Sequence, residues 1–249
     1  MSYTEELGQK AKAAEAVISV ASTITKNNAL AAIAKALRSN KKLIIAENAK
    51  DIAAAKENNM SASLQDRLLL TEERIEGIAE SVEELIALND PVGEIVGGGS
   101  RPNGMRIIKT RVPLGVIGII YESRPNVTVD GATLCLKSGN AVILKGGKEA
   151  INSNVCLGRI MRKAVSEAGL PEDIIQVVEN TSRETTNELM RLNKYLDVLI
   201  PRGSGKRLIQ AVVQNATVPV IETGAGNCHV FVDASADPDM AVNITDNAK

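Results

Sequence analysis

The stretch PLGVIGIIYESRPNVTVDGATLCLKSGNAVILKGGKEA, residues 113–150, decides the fold. It holds two short runs of β-formers, 115–121 and 141–145, separated by a helical segment over 127–138 that stops at Gly139. Short, nearly continuous apolar runs are what strands buried on both faces need, and a helix between two of them is the crossover that a parallel pair requires. Downstream the alternation persists. Helix is expected over 149–168, ending at Gly169, then a strand over 174–178, a short helix near 183–192 and a strand over 195–200. A helix over 204–216 and strands over 218–222 and 229–232 complete the series. The pattern predicts the α/β class: a Rossmann-like parallel sheet, right-handed crossovers and helices on both faces.

Working back from residue 113, residues 96–104 (VGGGSRPNG) are turn-rich and a strand fits 106–110. Residues 1–92 read as a helical N-terminal part. Ser2 with Glu5 makes a capping box ahead of an Ala-rich run over 5–21, and further helices fit 26–37 and 43–57. Thr71, followed by Glu72 and Glu73, opens another that runs to about 88, with the acids at the positive end of the helix dipole, before Asp90 and Pro91 stop it.

Composition excludes several functions. Lys plus Arg number 29 and Asp plus Glu 30, a net charge of -1, so no basic footprint for nucleic acid exists. Aromatics supply 2% of the chain, with no Trp and one Phe, too few for base-stacking platforms or sugar-binding aromatic grooves. No run approaches the roughly 18 apolar residues of a membrane span. Three scattered cysteines and one histidine supply neither a disulfide framework nor a metal site, and the chain reads as cytoplasmic. Cys135 and Cys156 lie on expected helices. Cys228, beside His229 on an expected strand, should diverge from it, which predicts a packed, inert thiol.

In a parallel sheet the ligand sits beyond the carboxyl ends of the strands, so 121–126, 145–148, 201–206 and 222–227 are the segments to search. Neither usual phosphate loop is intact. Residues 203–206 (GSGK) resemble the end of a Walker A loop, but Ile200 stands where its first glycine belongs and Arg207 replaces its Ser or Thr. Residues 224–229 (GAGNCH) place His229 at the third glycine of a dinucleotide fingerprint. The residues left are Lys145, Gly146, Gly147 and Lys148, two ammoniums and a bare backbone for a phosphate or ribose; Gly203 and Ser204, at a helix start; and Glu222, at a strand end. Each also has an ordinary reading: a solvated lysine, a strand-to-helix turn, a salt-bridged glutamate.

Taken together, residues 113–128, 136–150, 200–206 (IPRGSGK) and 220–233 (VIETGAGNCHVFVD) resemble the gamma-glutamyl phosphate reductase family over essentially the whole chain. More distantly they are similar to the aldehyde dehydrogenase superfamily, which binds its cofactor without the usual fingerprint. The resemblance implies an aldehyde dehydrogenase-like cofactor domain over 1–249 and NADPH-dependent reduction of L-glutamyl 5-phosphate to L-glutamate 5-semialdehyde in proline biosynthesis. It implies adenosine-ribose binding by Lys145, with Lys148 favouring a 2′-phosphate, and a pyrophosphate facing Gly203 and Ser204. Glu222 would be the general base, Asn126 an oxyanion donor, and Arg124 a partner for the acyl phosphate or the carboxylate. The nucleophilic cysteine would lie beyond Lys249, so the catalytic domain is expected to be absent from this chain. Residues 105–121 would form an arm of an oligomerisation hairpin, with a homo-oligomer at full length and glutamate 5-kinase as a partner. Two alternatives stay open: a nucleotide-binding or interaction module without turnover, and part of a bifunctional pyrroline-5-carboxylate synthase. Helix starting straight after Met1 speaks against the latter.

Overall fold

The computed structural model describes residues 1–203, 206–222 and 228–248, the side chains of 206 and 207 aside. Five helices come first: α1 (Tyr3–Ile18), α2 (Thr23–Ser39), α3 (Lys41–Glu57), α4 (Ala62–Leu68) and α5 (Glu72–Ala87). The capping box forms as expected, with Ser2 Oγ accepting from the Glu5 N–H at 3.3 Å and the Glu5 carboxylate accepting from the Ser2 N–H at 2.9 Å. Thr71 caps α5. The seven-residue α4 was not anticipated, since it buries only Leu68 and so has no apolar period to read.

β1 (Ile95–Ser100) and β2 (Arg106–Thr110) form a two-stranded antiparallel ribbon, exposed along both strands. Residues 97–99 look like a turn in the sequence but pair with 107–109, and a Cβ on Gly98 would stand 2.6 Å from the Ile107 carbonyl oxygen. The expected hairpin arm over 105–121 is therefore corrected: the hairpin is β1 with β2, and the residues after it belong elsewhere. Pro113 and Gly115, at φ +119°, break the chain between the two, and β3 (Val116–Tyr121) enters the main sheet.

There follow α6 (Pro125–Lys137), β4 (Ala141–Lys145), α7 (Ile151–Glu167) after a short 3₁₀ turn, β5 (Ile175–Val177), α8 (Arg183–Met190), β6 (Val198–Arg202), α9 (Lys206–Asn215) and α10 (Pro238–Asn247). The four strands from β3 onward make one parallel sheet in the order β5-β4-β3-β6. Alternate residues face opposite cores. Ile117, Ile119, Val142 and Leu144 pack with α2, α5, α6 and α7, while Val116, Ile120, Ala141 and Ile143 pack with α1, α8 and α9. Helices thus cover both faces, as expected for this class. The N-terminal helices are part of both cores, α1 giving Leu7 and Ala11 to one and Ala14 and Ile18 to the other, which α2 and α5 share.

Beyond α9 two expected strands do not form. Over 218–222 only Val220 bridges to Leu199, and residues 229–232 carry no strand. Val230, Phe231 and Val232 are exposed, so the alternation that placed Cys228 in the core has no sheet to act on; Cys228 is exposed, a correction.

Candidate functional site

The register sets the site. Ile120 pairs with Lys145 and Tyr121 with Arg202, so the ends of β3, β4 and β6 lie side by side at the carboxyl edge of the sheet. A cleft of about 470 Å³ opens there, lined by Arg67, Tyr121, Arg124, Lys145, Gly146 and Gly147 among others. A larger groove of about 930 Å³ lies between α2, α3 and α7, with Glu179, two residues past β5, as the one lining residue next to a strand end.

Lys145 is buried, and its ammonium donates to the Gly146 carbonyl at 3.2 Å. Burial pulls its pKa below the ordinary lysine value, opposed by the nearby Glu149 carboxylate. Gly146 must be a glycine: a Cβ there would stand 2.2 Å from Asn154 Nδ2 and 3.1 Å from the Tyr121 ring. Those two belong to a buried chain in which Tyr121 Oη and Thr128 Oγ1 lie 2.7 Å apart and Thr128 donates to Asn154 Oδ1 at 2.8 Å. Burial also holds the Tyr121 phenol above its usual pKa. Gly147 leads into the 3₁₀ turn Lys148–Ala150, where Lys148 is exposed and Glu149 accepts from Ser123 Oγ at 3.1 Å, joining the β3 and β4 loops.

Sequence reasoning missed what holds this loop from beneath. Helix α7 has no side-chain cap of its own; Asp51, from α3 and 2% exposed, supplies one. Its carboxylate accepts from the N–H groups of Asn152 (3.2 Å) and Ser153 (2.8 Å), from Asn152 Nδ2 (2.8 Å) and from Ser153 Oγ (2.6 Å). Asn48 extends the network, donating to Ser153 Oγ and the Leu68 carbonyl and accepting from the Leu70 N–H. A hundred residues separate Asp51 from its partners, beyond the reach of any local motif.

On the β3 side, Arg124 is the half-buried N-cap of α6 and makes no side-chain cap bond. Asn126 donates to Asp130 at 3.2 Å. Both line a second cleft, of about 530 Å³, between α5 and α6, and Arg67 and Arg124 line both clefts.

The β6 side is less enclosed. Gly203 sits where a Cβ would meet the Glu122 side chain at 2.6 Å. Ser204 lies outside the described residues. Glu222 is exposed, two residues past the bridge at Val220, so it is not the buried strand-end carboxylate the sequence suggested. The structure therefore brings together Lys145, Gly146, Gly147 and Arg124 around one cleft, sets Asn126 in the adjoining one, and leaves Lys148 and Glu222 outside the linings. Among the described residues no cluster of His, Cys, Asp and Glu suits a metal, and no helix is long and apolar enough to cross a membrane.

The profile of the aldehyde dehydrogenase family matches residues 3–249. A gamma-glutamyl phosphate reductase of Clostridium novyi is 58% identical over 247 residues, 99% of this chain and 59% of that protein. Among solved structures, gamma-glutamyl phosphate reductase of Thermotoga maritima superposes with a TM-score of 0.91 at 46% identity, covering 99% of this chain and 59% of that one. The Saccharomyces cerevisiae enzyme of the same name gives 0.83 at 30%, covering 89% and 56%. The chain thus spans a little under three fifths of the length of the relatives it matches.

Proposed function

The chain belongs to the aldehyde dehydrogenase family, and from that premise we propose that it is the cofactor-binding portion of an NADPH-dependent gamma-glutamyl phosphate reductase, which converts L-glutamyl 5-phosphate to L-glutamate 5-semialdehyde and phosphate. The observation that carries the reading is the meeting of Lys145, Gly146 and Arg124 around one cleft at the carboxyl edge of a parallel sheet.

A nicotinamide cofactor fits that cleft by the chemistry of its donors. Gly146 and Gly147 line the cleft and carry no side chain of their own, so a ribose or phosphate entering it meets their backbone. Lys145, with its ammonium tethered to the Gly146 carbonyl, is aimed rather than swinging in solvent. Lys148, exposed at the next turn, supplies a second positive charge for a 2′-phosphate. When bound, the cofactor supplies hydride to a carbonyl carbon. Arg124 offers two parallel donors to an acyl phosphate or a carboxylate, and Asn126 keeps an amide N–H for a developing oxyanion while its other donor serves Asp130. Glu222 would act as general base, and Gly203 with Ser204 would face the pyrophosphate. The reaction class needs a thiolate to displace phosphate, and no cysteine lines the described cleft. That thiol is assigned to a segment beyond Lys249, and the β1–β2 ribbon to contacts between subunits in a homo-oligomer.

Titrating the 249-residue chain with NADPH and NADH, followed by cofactor fluorescence, tests the reading. NADPH is expected to bind, and Lys148→Ala to weaken NADPH far more than NADH, because only NADPH loses a charge-assisted contact of about 1.5–3 kcal/mol. Equal losses remove the 2′-phosphate assignment. Oxidation of NADPH by this chain with glutamyl phosphate would refute the need for the further thiol.

A further inference from the structure

The cleft between α5 and α6 has a chemistry that the cofactor reading does not use. Two side chains that line it are charged and under-committed. The carboxylate of Asp130, half-buried on α6, accepts a single hydrogen bond among the described residues, from Asn126 at a long 3.2 Å, leaving its other oxygen open. Arg67, at the end of α4, has no ion pair or side-chain hydrogen bond among the described residues. Arg74, in the same cleft, is different: Asp66 and the carbonyls of Asp66 and Leu69 occupy its guanidinium. Burial pushes the Asp130 carboxyl above the usual carboxylate range, against the Asn126 bond and the field of Arg202. Its negative charge is therefore short of compensation, as it would be if a cation normally arrived from outside. Leu70 and Ile78 give the cleft an apolar wall against which methylenes can pack.

An α-amino acid presents a matching pattern: an ammonium and a carboxylate on one carbon, followed by an aliphatic stem. We infer that this cleft recognises the α-amino-acid end of the substrate, with Asp130 accepting from the ammonium and Arg67 pairing with the α-carboxylate. The inference rests on the substrate class proposed above and assigns that substrate a direction. With the ammonium at Asp130 and the α-carboxylate at Arg67, the stem leaves its reacting end to Arg124, which also lines the cofactor cleft. Arg124 is then left for the acyl phosphate.

Calorimetric titration of the 249-residue chain with L-glutamate and with glutarate, which lacks only the amino group, tests this without cofactor or turnover. L-Glutamate should bind at least tenfold more tightly than glutarate. Asp130→Asn should abolish that difference while leaving glutarate binding within about twofold. Arg67→Ala should weaken both ligands. Equal binding of the two ligands by the unaltered chain, a preference that survives in Asp130→Asn, or no binding of either at millimolar concentration overturns the inference. Failure of the reductase reading shows elsewhere, as absent NADPH binding or absent turnover in a polypeptide of the relatives' full length that carries these residues. The two failures are thus distinguishable.

Discussion

The two sides of the cleft at the sheet edge are built differently. On the β4 side, Lys145 and Gly146 rest on a buried floor of Tyr121, Thr128 and Asn154, and the turn after them is clamped by Asp51 and Asn48 from α3. On the β6 side, Gly203 meets one glutamate side chain, Glu222 is exposed, and Cys228 to Val232 are exposed on no sheet. Two mechanisms hold a site in place, buried polar satisfaction and surface contact, and only the first is expensive to disturb. The comparison teaches that the loop of Lys145 and Gly146, to which the cofactor is assigned, is preorganised within this chain, whereas Glu222, the proposed general base, is not.

Removing the Asp51 carboxylate should break the contrast most visibly. Asp51→Ala strands two backbone N–H groups, the Asn152 amide and the Ser153 hydroxyl in the interior, at about 1–3 kcal/mol for each group left unpaired. A loss of at least about 3 kcal/mol is expected, against no more than about 0.5 kcal/mol for Glu222→Ala on the exposed side. Urea midpoints at constant slope measure both. Comparable losses would mean the two sides are equally braced.

Glycine substitutions probe the same contrast at smaller scale. In Gly146→Ala the new methyl meets the buried Asn154 amide nitrogen at 2.2 Å and the Tyr121 ring at 3.1 Å, on a floor where Thr128 fixes Asn154 through Oδ1; overpacking of this kind costs about 1–3 kcal/mol. It should also weaken NADPH, since the loop must shift. In Gly203→Ala the methyl meets the Glu122 side chain, which is only part-buried, so a smaller loss than that of Gly146→Ala is expected. Reversal of that order in thermal unfolding would place the tighter packing on the β6 side.

Lys145 tests whether preorganisation is held at the expense of stability. Its folded pKa is depressed by burial, so between that value and the ordinary lysine value the unfolded chain binds more protons and stability rises with pH. Lys145→Met should remove this alkaline rise and lift the urea midpoint at pH 7 slightly, by about 1 kcal/mol at most, while abolishing cofactor binding. A midpoint that falls would show the ammonium to be a structural group instead of a functional one.

The sequence made the β4 side legible because its information is local. The run AVILK, the glycine pair after it and the stops at Gly139 and Gly169 each constrain their own few residues, and all fall where expected, both glycines at positive φ. What supports them was not legible, because Asp51 and Asn48 act across a hundred residues and look like ordinary helix-surface polar residues until the chain is folded. On the β6 side the error ran the other way. Residues 218–222 and 229–232 have strand composition, but composition describes a preference for a half-buried pleated surface, and beyond Val220 no neighbouring strand provides one. The glycines of β1 misled for the converse reason: they pair by close backbone approach, which no side-chain pattern announces.

The cysteines sharpen the comparison with the smallest energetic effect and the clearest readout. Cys135 is buried on α6 with its thiol pushed up to about 12, and burial likewise raises Cys156 on α7, so neither presents a thiolate near neutral pH. Cys228 is exposed. With a disulfide reagent at pH 8, one thiol should react within the dead time of manual mixing and the other two only as fast as the chain opens, a gap of several orders of magnitude in rate for a stable core. Cys228→Ser should erase the fast phase and change the urea midpoint by no more than about 0.5 kcal/mol, because its side chain contributes no burial to lose. If the fast phase persists in Cys228→Ser, one of the helical cysteines is accessible and the packed side is looser than its hydrogen bonds imply. Should Cys228→Ser instead cost a kilocalorie or more, the segment around it packs in solution, and the β6 side is then braced by contacts that exposure alone does not reveal.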